Sequence, residues 1–153
     1  MISDHSPVQP IRRAAIVAEA RLWLGTPYHH QASALGIGVD CVGLVRGILR
    51  ARLRVDPDIP AVYSRDWAEA SGRETLLEAA RVHLSEIDPA NAQPGDILVF
   101  RFRPHMVAKH AAVLASPQTM IHAIEGAAVG EVRCNGWWRR RVAGAFAFPG
   151  IID

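Results

Sequence analysis

Residues 40–49 read Asp-Cys-Val-Gly-Leu-Val-Arg-Gly-Ile-Leu. The apolar residues of this stretch recur at the spacing of one helix face, and they are Cys41, Leu44, Val45, Ile48 and Leu49. Asp40 stands directly before the pattern, where its carboxylate can accept the first free backbone N–H groups as an N-cap. The stretch therefore predicts a helix with a cysteine in its first turn.

A cysteine at this position has the surroundings of a nucleophile. Unpaired N–H groups and the positive end of the helix dipole favour a thiolate, and the same N–H groups can stabilise an oxyanion. Asp40 opposes this effect, because an adjacent carboxylate disfavours a second negative charge. We therefore expect Cys41 to need a base. A single cysteine beside Val42 and Leu44 also fits a small buried apolar residue.

Two histidines are candidates for that base, since His110 begins one predicted strand and His122 lies within the next. A three-residue connection at 116–118 would pair Ala115 with Thr119. Both histidines would then lie on one face as diagonal neighbours, with Cα atoms about 7–8 Å apart, and one imidazole could orient the other. A two-residue connection would place them on opposite faces. With a cysteine at a helix start, the first arrangement has the layout of nucleophile, base and orienting residue.

Three further residues near the cysteine are candidates for supporting roles. Gly43 and Gly47 share one face of the predicted helix, where each costs about 1 kcal/mol relative to alanine. A close approach of the helix to the sheet would explain both glycines and would hold the thiol in place. Tyr28 lies in the segment before the helix, where its phenol could donate to a substrate or could serve packing.

Helical patterns come first along the chain, and strand patterns come after them. Apolar spacing predicts helices at 11–24 and, with a weak point at Ser71–Gly72, from about 66 to 84. Residues 25–39 have no sustained period and predict a long loop. The predicted strands are 97–100, 110–115, 119–124, 129–133 and 142–148. This order predicts one α+β domain over 11–153 with an antiparallel sheet, preceded by a flexible arm at 1–10.

Composition excludes several classes of protein. The chain has 153 residues, 50% of them hydrophobic and 21% charged, which is typical of a globular domain and not of a disordered tail. A net charge of +2 does not indicate a nucleic-acid-binding protein. No apolar run approaches the ~20 residues that span a bilayer, so we expect no membrane span. No apolar signal segment comes after the first residues, and we expect a protein made in the cytoplasm without a signal peptide.

The other candidate sites are weaker. Cys41 and Cys134 form no metal-binding or disulfide spacing, and Cys134 fits a packing role. His29 and His30 are adjacent and lack the spacing of zinc ligands, so we expect no metal and no cofactor. The run at 137–141, Trp-Trp-Arg-Arg-Arg, fits a solvated basic patch beside aromatic rings, although stacking with phosphate contacts is an alternative.

These motifs together resemble the NlpC family of papain-like cysteine peptidases, which cleave peptides of the bacterial cell wall. The resemblance covers roughly residues 11–149. It is carried by Leu24–Tyr28, Asp40–Val45, Gln93–Phe100, His110–Val113 and Met120–Ala123. More narrowly, Asp66–Glu74 and Trp138–Phe146 are similar to the phage-type branch, which is found beside tail genes in phages, prophages and gene-transfer agents.

The resemblance implies a papain-like fold with N-terminal helices on a central antiparallel sheet of about five to six strands. It also implies a catalytic trio in which Cys41 is the nucleophile, His110 the general base and His122 the residue that orients it. Tyr28 would line the site near the oxyanion position. Asp40 would help to bind the free amine of the substrate.

The implied reaction is hydrolysis of the amide between γ-D-glutamate and a diamino acid in peptidoglycan stem peptides. Many members have serine after the nucleophile, where it helps to receive the substrate amine; here Val42 takes that place and leaves the exact peptide preference open. The implied partners are stem peptides and phage-tail proteins. The protein would act at the cell wall, as part of a phage-like tail or after lysis.

Two alternatives to hydrolysis stay open from the sequence. The first is a tail-assembly component with weak or no hydrolysis, for which residues 137–141 would be the contact surface. The second is a thiol acyltransferase, which would pass the acyl group from Cys41 to another amine or to an alcohol. Both alternatives keep the fold and differ from a peptidase in the use of the Cys41 thiol.

Overall fold

Helices pack against a central sheet in the computed structural model, which describes residues 10–57 and 72–153. The helices are α1 (Arg13–Leu22), α2 (Cys41–Ile48), α3 (Thr75–His83) and α4 (Gly136–Arg139). One π-helical turn, Leu49–Leu53, extends α2, and one 3-10 turn occupies Pro89–Asn91. Within the described ranges no helix has the length and apolar character needed to cross a bilayer.

The strands form one large sheet and one small hairpin. They are β1 (Ser33–Ala34), β2 (Gly38–Val39), β3 (Ser85–Ile87), β4 (Ile97–Phe100), β5 (His110–Leu114), β6 (Thr119–His122), β7 (Gly130–Arg133) and β8 (Val142–Ala147). The large sheet has the order β3-β8-β4-β5-β6-β7, and every neighbouring pair is antiparallel. The prediction of an α+β fold with about five to six antiparallel strands is confirmed.

The register of β5 and β6 is set by the three-residue connection at 116–118. Val113 pairs with Ile121, and the Ala115 N–H donates to the Thr119 carbonyl at 2.9 Å. The same register places both histidines on one face of the sheet, because side chains alternate between faces with a period of two. Of the two geometries that the sequence left open, this is the one that brings the histidines together.

Both faces of the central strands are covered, which explains why every residue of β4 and β5 is buried. Ala111 and Val113 of β5 point toward the main core beneath α1 and α2. Ala112 and Leu114 point to a smaller core on the opposite face, which also contains Cys134. His110 has the parity of Ala112 and Leu114, so its side chain extends toward that second face.

Three sequence predictions differ from the structure. The first helix is shorter than 11–24, because Ile11 is drawn into a bridge with Ile151 and donates its N–H to the Gly150 carbonyl at 2.9 Å. The loop at 25–39 is not structureless, since it contains the hairpin of β1 and β2. Strand β3 was not predicted; it pairs with β8 at the edge of the sheet.

Two predictions fall partly outside the described residues. The third helix was predicted over 66–84; within the described part, helix α3 begins at Thr75 and ends at His83, and residues 66–71 lie outside the described part. Nine of the ten residues of the predicted N-terminal arm lie outside it as well.

Candidate active site

The start of α2 is fixed by Asp40, the predicted N-cap. One carboxylate oxygen accepts the Gly43 N–H at 2.7 Å, and the other accepts the Gln31 N–H at 2.7 Å. Asp40 is almost fully buried, so these bonds tie the loop before the helix to the helix itself. Cys41 is therefore the first residue of α2. The expected role of Asp40 in binding a substrate amine stays a prediction.

The two glycines of α2 allow close approaches, although not to the sheet as expected. A Cβ atom at Gly43 would lie 1.9 Å from the carbonyl oxygen of Ala32, and one at Gly47 would lie 2.1 Å from the ring of Trp23. The helix is thus pressed against the loop and against the end of α1. The expectation of a helix–sheet contact through these glycines was wrong, because the loop backbone and Trp23 occupy that face.

The sulfur of Cys41 lies against the backbone that carries His110. Its Sγ is 3.9 Å from the Lys109 carbonyl oxygen, and the Ala111 N–H also interacts with the sulfur. These two groups flank His110 on either side in the chain. Cys41 is partly exposed, so the thiol is held against β5 without being sealed from solvent.

The two histidines are hydrogen-bonded to each other. His110 Nε2 and His122 Nδ1 are 2.9 Å apart, and both side chains are buried. In the tautomer in which His110 donates from Nε2, its Nδ1 carries a lone pair and can act as a base. The predicted pairing of the two rings is therefore present, and it directs a basic nitrogen of His110 away from His122.

Aromatic rings enclose the histidine pair. Phe102 stacks on His110, with ring centres 5.8 Å apart and planes 25° apart. Trp138 lies 5.6 Å from the His110 ring and 5.4 Å from the His122 ring. Phe100 contributes a third ring, 5.9 Å from His110. This enclosure removes water from the pair and holds both imidazoles in place.

Phe102 and Trp138 were not among the sequence candidates. The sequence predicts a solvated arginine patch beside the two tryptophans; Trp138 is half-buried against the histidines, whereas Trp137 is exposed. The available signal was the pair of tryptophans before β8. The contact of Trp138 with the histidines depends on the strand order, which places the start of β8 beside the end of β4.

Burial sets the protonation states of the resting site. It raises the pKa of the Cys41 thiol to about 12, with a further contribution from the Asp40 carboxylate, while nearby backbone N–H groups act in the opposite direction. Burial also lowers the pKa of His110 to about 3, assisted by His122, and lowers the pKa of His122. The resting pair is therefore a neutral thiol beside a neutral imidazole.

Tyr28 lies close to the start of α2 in the fold. Its backbone forms a bridge with Val39, two residues before Cys41, and its side chain packs against the main core. His30 lies nearby, with its Nδ1 3.9 Å from a carboxylate oxygen of Asp40. Among residues 10–57 and 72–153, no three His, Cys, Asp or Glu side chains are grouped so that they could hold a metal ion.

Comparison with known protein families identifies the family to which the chain belongs. The NlpC/P60 family pattern matches residues 25–146, which include Cys41, His110 and His122. The chain belongs to the NlpC/P60 family. The match runs from the glycine after α1 to the next-to-last residue of β8, so the NlpC/P60 domain occupies most of the described fold.

Three relatives illustrate the resemblance. The γ-DL-glutamyl hydrolase of Bacillus subtilis strain 168 is 23% identical over 137 residues, which cover 89% of this chain and 29% of that protein. The NlpC/p60 domain of the peptidoglycan hydrolase SagA is 24% identical, with 90% of this chain and 100% of that one covered and a TM-score of 0.64. An NlpC/P60 protein of Bacillus cereus ATCC 10987 is 21% identical, with 92% and 41% covered and a TM-score of 0.65.

The comparisons bear on fold and on reaction type. At these identities the two solved structures show that the fold is that of an NlpC/P60 domain. Membership of the NlpC/P60 family, together with two relatives named as hydrolases, supports the prediction of a hydrolase of the cell-wall type. The chain spans less than a third of the length of the curated relative that it matches.

Proposed function

We propose that the protein is a cysteine peptidase that hydrolyses amide bonds in peptidoglycan stem peptides through an acyl-enzyme on Cys41. The observation that carries the proposal is the position of the thiol at a helix start, against the backbone on either side of His110. His110 is in turn bonded to His122. A nucleophile, a base and a residue that orients the base are the parts that this chemistry requires.

The proposed first step couples proton transfer to attack. Because thiol and imidazole are both neutral at rest, His110 Nδ1 takes the proton as the sulfur bonds to the amide carbonyl carbon. His122 then stabilises the imidazolium through its bond to Nε2. Collapse of the tetrahedral intermediate transfers that proton to the leaving amine, and water releases the acyl group with His110 again acting as base.

The oxyanion of the intermediate would lie at the start of α2. The N–H groups of the first helical turn have no partner within the helix, and those of Cys41 and Val42 interact with the sulfur. Asp40 already accepts the N–H of Gly43, which leaves the N–H groups of Cys41 and Val42 nearest the sulfur as candidate donors. Tyr28 is the proposed neighbour of this position.

The proposed substrate is the amide between γ-D-glutamate and a diamino acid. Support comes from the relatives, one of which is named a γ-DL-glutamyl hydrolase and another a peptidoglycan hydrolase. The absence of serine after the nucleophile affects only the choice of peptide, since Val42 is buried and Cys41 and His110 are both present.

Digestion of purified peptidoglycan tests the proposal. The wild type should release soluble muropeptides whose masses show cleavage after γ-D-glutamate, and Cys41→Ala should release none. Cys134→Ala is the matched control, because it removes the other thiol, which lies in the smaller core on the face opposite α1 and α2, and it should keep the activity. Release by Cys41→Ala at the wild-type rate would refute the acyl-enzyme.

The mass of the products separates hydrolysis from acyl transfer. A hydrolysed stem peptide gains one water, whereas transfer adds the mass of the amine or alcohol that accepts the acyl group. We expect only the hydrolysed product when stem peptides are incubated with added amines at millimolar concentration. A dominant transfer product would replace the peptidase by a thiol acyltransferase.

We further propose that the protein is associated with a phage-like tail and reaches the cell wall with it or after lysis. The support is the similarity of two segments to the phage-type branch, one of which falls largely outside the described residues. Purified tail particles from the producing cells, analysed by mass spectrometry, should contain the chain. Its presence only in the soluble cytoplasmic fraction, before and after lysis is induced, would count against this assignment.

A further inference from the structure

A pocket of about 340 Å³ opens beside the aromatic enclosure of the histidines. Its lining consists of Arg101, Phe102, Pro104, Arg140, Arg141 and Val142, and we call it the arginine pocket. The volume is at the lower end of the range for small-ligand sites. Three guanidinium groups around so small a space make it a site for negative charge.

Two of the three arginines keep their charge uncompensated. Arg101 donates to the Glu74 carboxylate and, at 2.6 Å, to the Met106 carbonyl, so its charge is paired within the fold. Arg140 and Arg141 form no ion pair with any acidic group in the described part of the chain. The pocket therefore has an excess of positive charge at its Arg140–Arg141 side.

Arg141 is also held in a fixed position. Its Nη1 donates to the Trp137 carbonyl at 2.7 Å, and its guanidinium carbon lies 3.8 Å from the centre of the Trp137 ring. The Nε of the same group is buried and has no acceptor among the residues that the structure describes. A guanidinium that is pre-positioned in this way is suited to bind a carboxylate in a bidentate manner.

Phe102 links the pocket to the catalytic residues. One side of its ring stacks on His110 at 5.8 Å between centres, and the residue also lines the pocket. A group bound in the pocket therefore lies next to the ring that packs on the proposed general base.

We propose that the arginine pocket is a subsite for a free carboxylate of the substrate, bound by Arg140 and Arg141. The inference rests on the proposed function and adds a determinant of specificity to it. A γ-linked D-glutamyl residue keeps its α-carboxylate free, and the diamino acid that comes after it carries a carboxylate of its own. Amidation of either group removes the charge, so the pocket makes the enzyme sensitive to the amidation state of the stem peptide.

Singly amidated peptides identify the carboxylate. We would compare L-alanyl-γ-D-glutamyl-meso-diaminopimelate, in which the α-carboxylate of glutamate and the side-chain carboxylate of diaminopimelate are both free, against the two versions in which one of them is a carboxamide. The wild type should cleave one of the amidated peptides with a kcat/KM at least tenfold lower, mainly through KM. The peptide that shows the loss reveals which residue of the substrate enters the pocket.

Arginine variants connect the preference to the pocket. Arg140→Gln should lower kcat/KM for the free-carboxylate peptide by a similar factor and should leave the rate on the discriminated carboxamide nearly unchanged. Arg141→Lys should retain part of the preference, because it keeps the charge and loses the bidentate geometry. The matched control is Arg133→Gln, an exposed arginine of β7 that pairs with Thr119 at the end of the hairpin far from His122.

The outcomes separate this inference from the proposed function. Equal cleavage of all three peptides by the wild type, or an equal loss on all three in Arg140→Gln, would overturn the subsite while hydrolysis stands. If the wild type cleaves none of the peptides and no peptidoglycan, the proposed function fails. Calorimetric titration of Cys41→Ala with the same peptides then decides the subsite. Tighter binding of the free-carboxylate peptide than of the carboxamide, with the difference abolished by Arg140→Gln, supports the subsite. Equal binding of the peptides, or no binding, refutes it.

Discussion

The hydrogen bond between His110 and His122 determines which ring nitrogen of His110 is left for proton transfer. His110 uses Nε2 in this bond, so only Nδ1 is available for proton transfer with Cys41. The bond also keeps the His110 ring from rotating, in a pocket that Phe102 and Trp138 already narrow. His122 therefore acts through His110 and is a positioning residue in the proposed mechanism.

Replacement of His122 should lower turnover and leave substrate binding nearly intact. We expect His122→Ala to reduce kcat by about 10²-fold with little change in KM, because proton transfer by a positioned base contributes roughly 10²–10⁴-fold. His122→Asn should recover part of the loss, since its amide can still accept the His110 N–H. His83→Ala, at the end of α3 near the opposite edge of the sheet, is the control and should retain wild-type kcat. A rise in KM with an unchanged kcat would show that His122 contacts substrate instead.

The neutral resting pair has a measurable consequence for thiol reactivity. The pKa of Cys41 is about 12, above its ordinary value, so the thiolate fraction at neutral pH is small. Alkylation of the free enzyme by iodoacetamide should therefore accelerate about tenfold per pH unit from pH 7 to 10 without reaching a plateau. The alkylation rate of the Cys134→Ala variant reports on Cys41 alone, because this variant lacks the other thiol. A plateau beginning near pH 6 would show an ion pair with His110 at rest.

At the residue scale, the sequence predicted the positions of the site better than its surroundings. Cys41, His110 and His122 could be placed because a helix pattern and one hairpin length determine their geometry. Phe102 and Trp138 could not, since their contact with the histidines depends on the order of strands in the sheet. No local pattern encodes that order.

At the scale of elements, backbone groups of the loop before α2, together with side chains, hold the first turn of this helix in place. The Gly43 position leaves no room for a side chain against the Ala32 carbonyl, and the Ser33 hydroxyl donates to the Gly43 carbonyl at 2.6 Å. Arg50 closes the contact by donating to the Ser33 carbonyl at 2.7 Å. The hairpin of β1 and β2 is thus part of what positions the thiol.

Gly43→Ala should damage both stability and activity. A Cβ atom 1.9 Å from the Ala32 oxygen forces the helix and the loop apart, at a cost of about 1–3 kcal/mol, typical of overpacking. We expect the melting temperature to fall by roughly 2–4 °C per kcal/mol, and kcat/KM to fall at least tenfold because Cys41 moves with its helix. Gly130→Ala is the control, as its nearest neighbour would be 3.9 Å away. Equal effects of the two variants would contradict this role of Gly43.

Most elements were predictable from periodicity, and the exceptions have physical causes. Helix α2 and the strands β4 to β8 have apolar patterns clear enough to be predicted from their own residues alone. Strands β1, β2 and β3 contain two or three residues each, which is too short for any period to show. They form because tertiary contacts supply their partners, as β8 does for β3.

At the scale of the whole molecule, one buried carboxylate joins α1 to the sheet. Asp96 is fully buried, and it accepts Nη1 of Arg13 at 2.6 Å and the Gln93 N–H at 2.8 Å. The turn that carries it approaches α1 closely, because a Cβ atom at Gly95 would lie 3.1 Å from that of Arg13. The motif at 93–96 thus has a structural basis, in which a turn before β4 anchors the first helix.

Breaking this contact should destabilise the fold more than any single surface ion pair. In Asp96→Ala the guanidinium of Arg13 keeps its charge in a mostly buried place and retains, among the described residues, only the Asp153 carbonyl, 2.9 Å from its Nε, as an acceptor. Loss of one member of a buried pair costs about 3–5 kcal/mol. Glu86→Ala removes the partner of Arg81 from a pair in which both side chains are about half exposed, and it should cost less than about 1 kcal/mol. Urea unfolding followed by circular dichroism measures both free energies. Since Asp96 lies outside the candidate active site, kcat of the folded fraction should be unchanged at low temperature. Equal destabilisation by the two variants would show that the charge of Arg13 is solvated, and that packing around Gly95 alone holds α1 against the sheet.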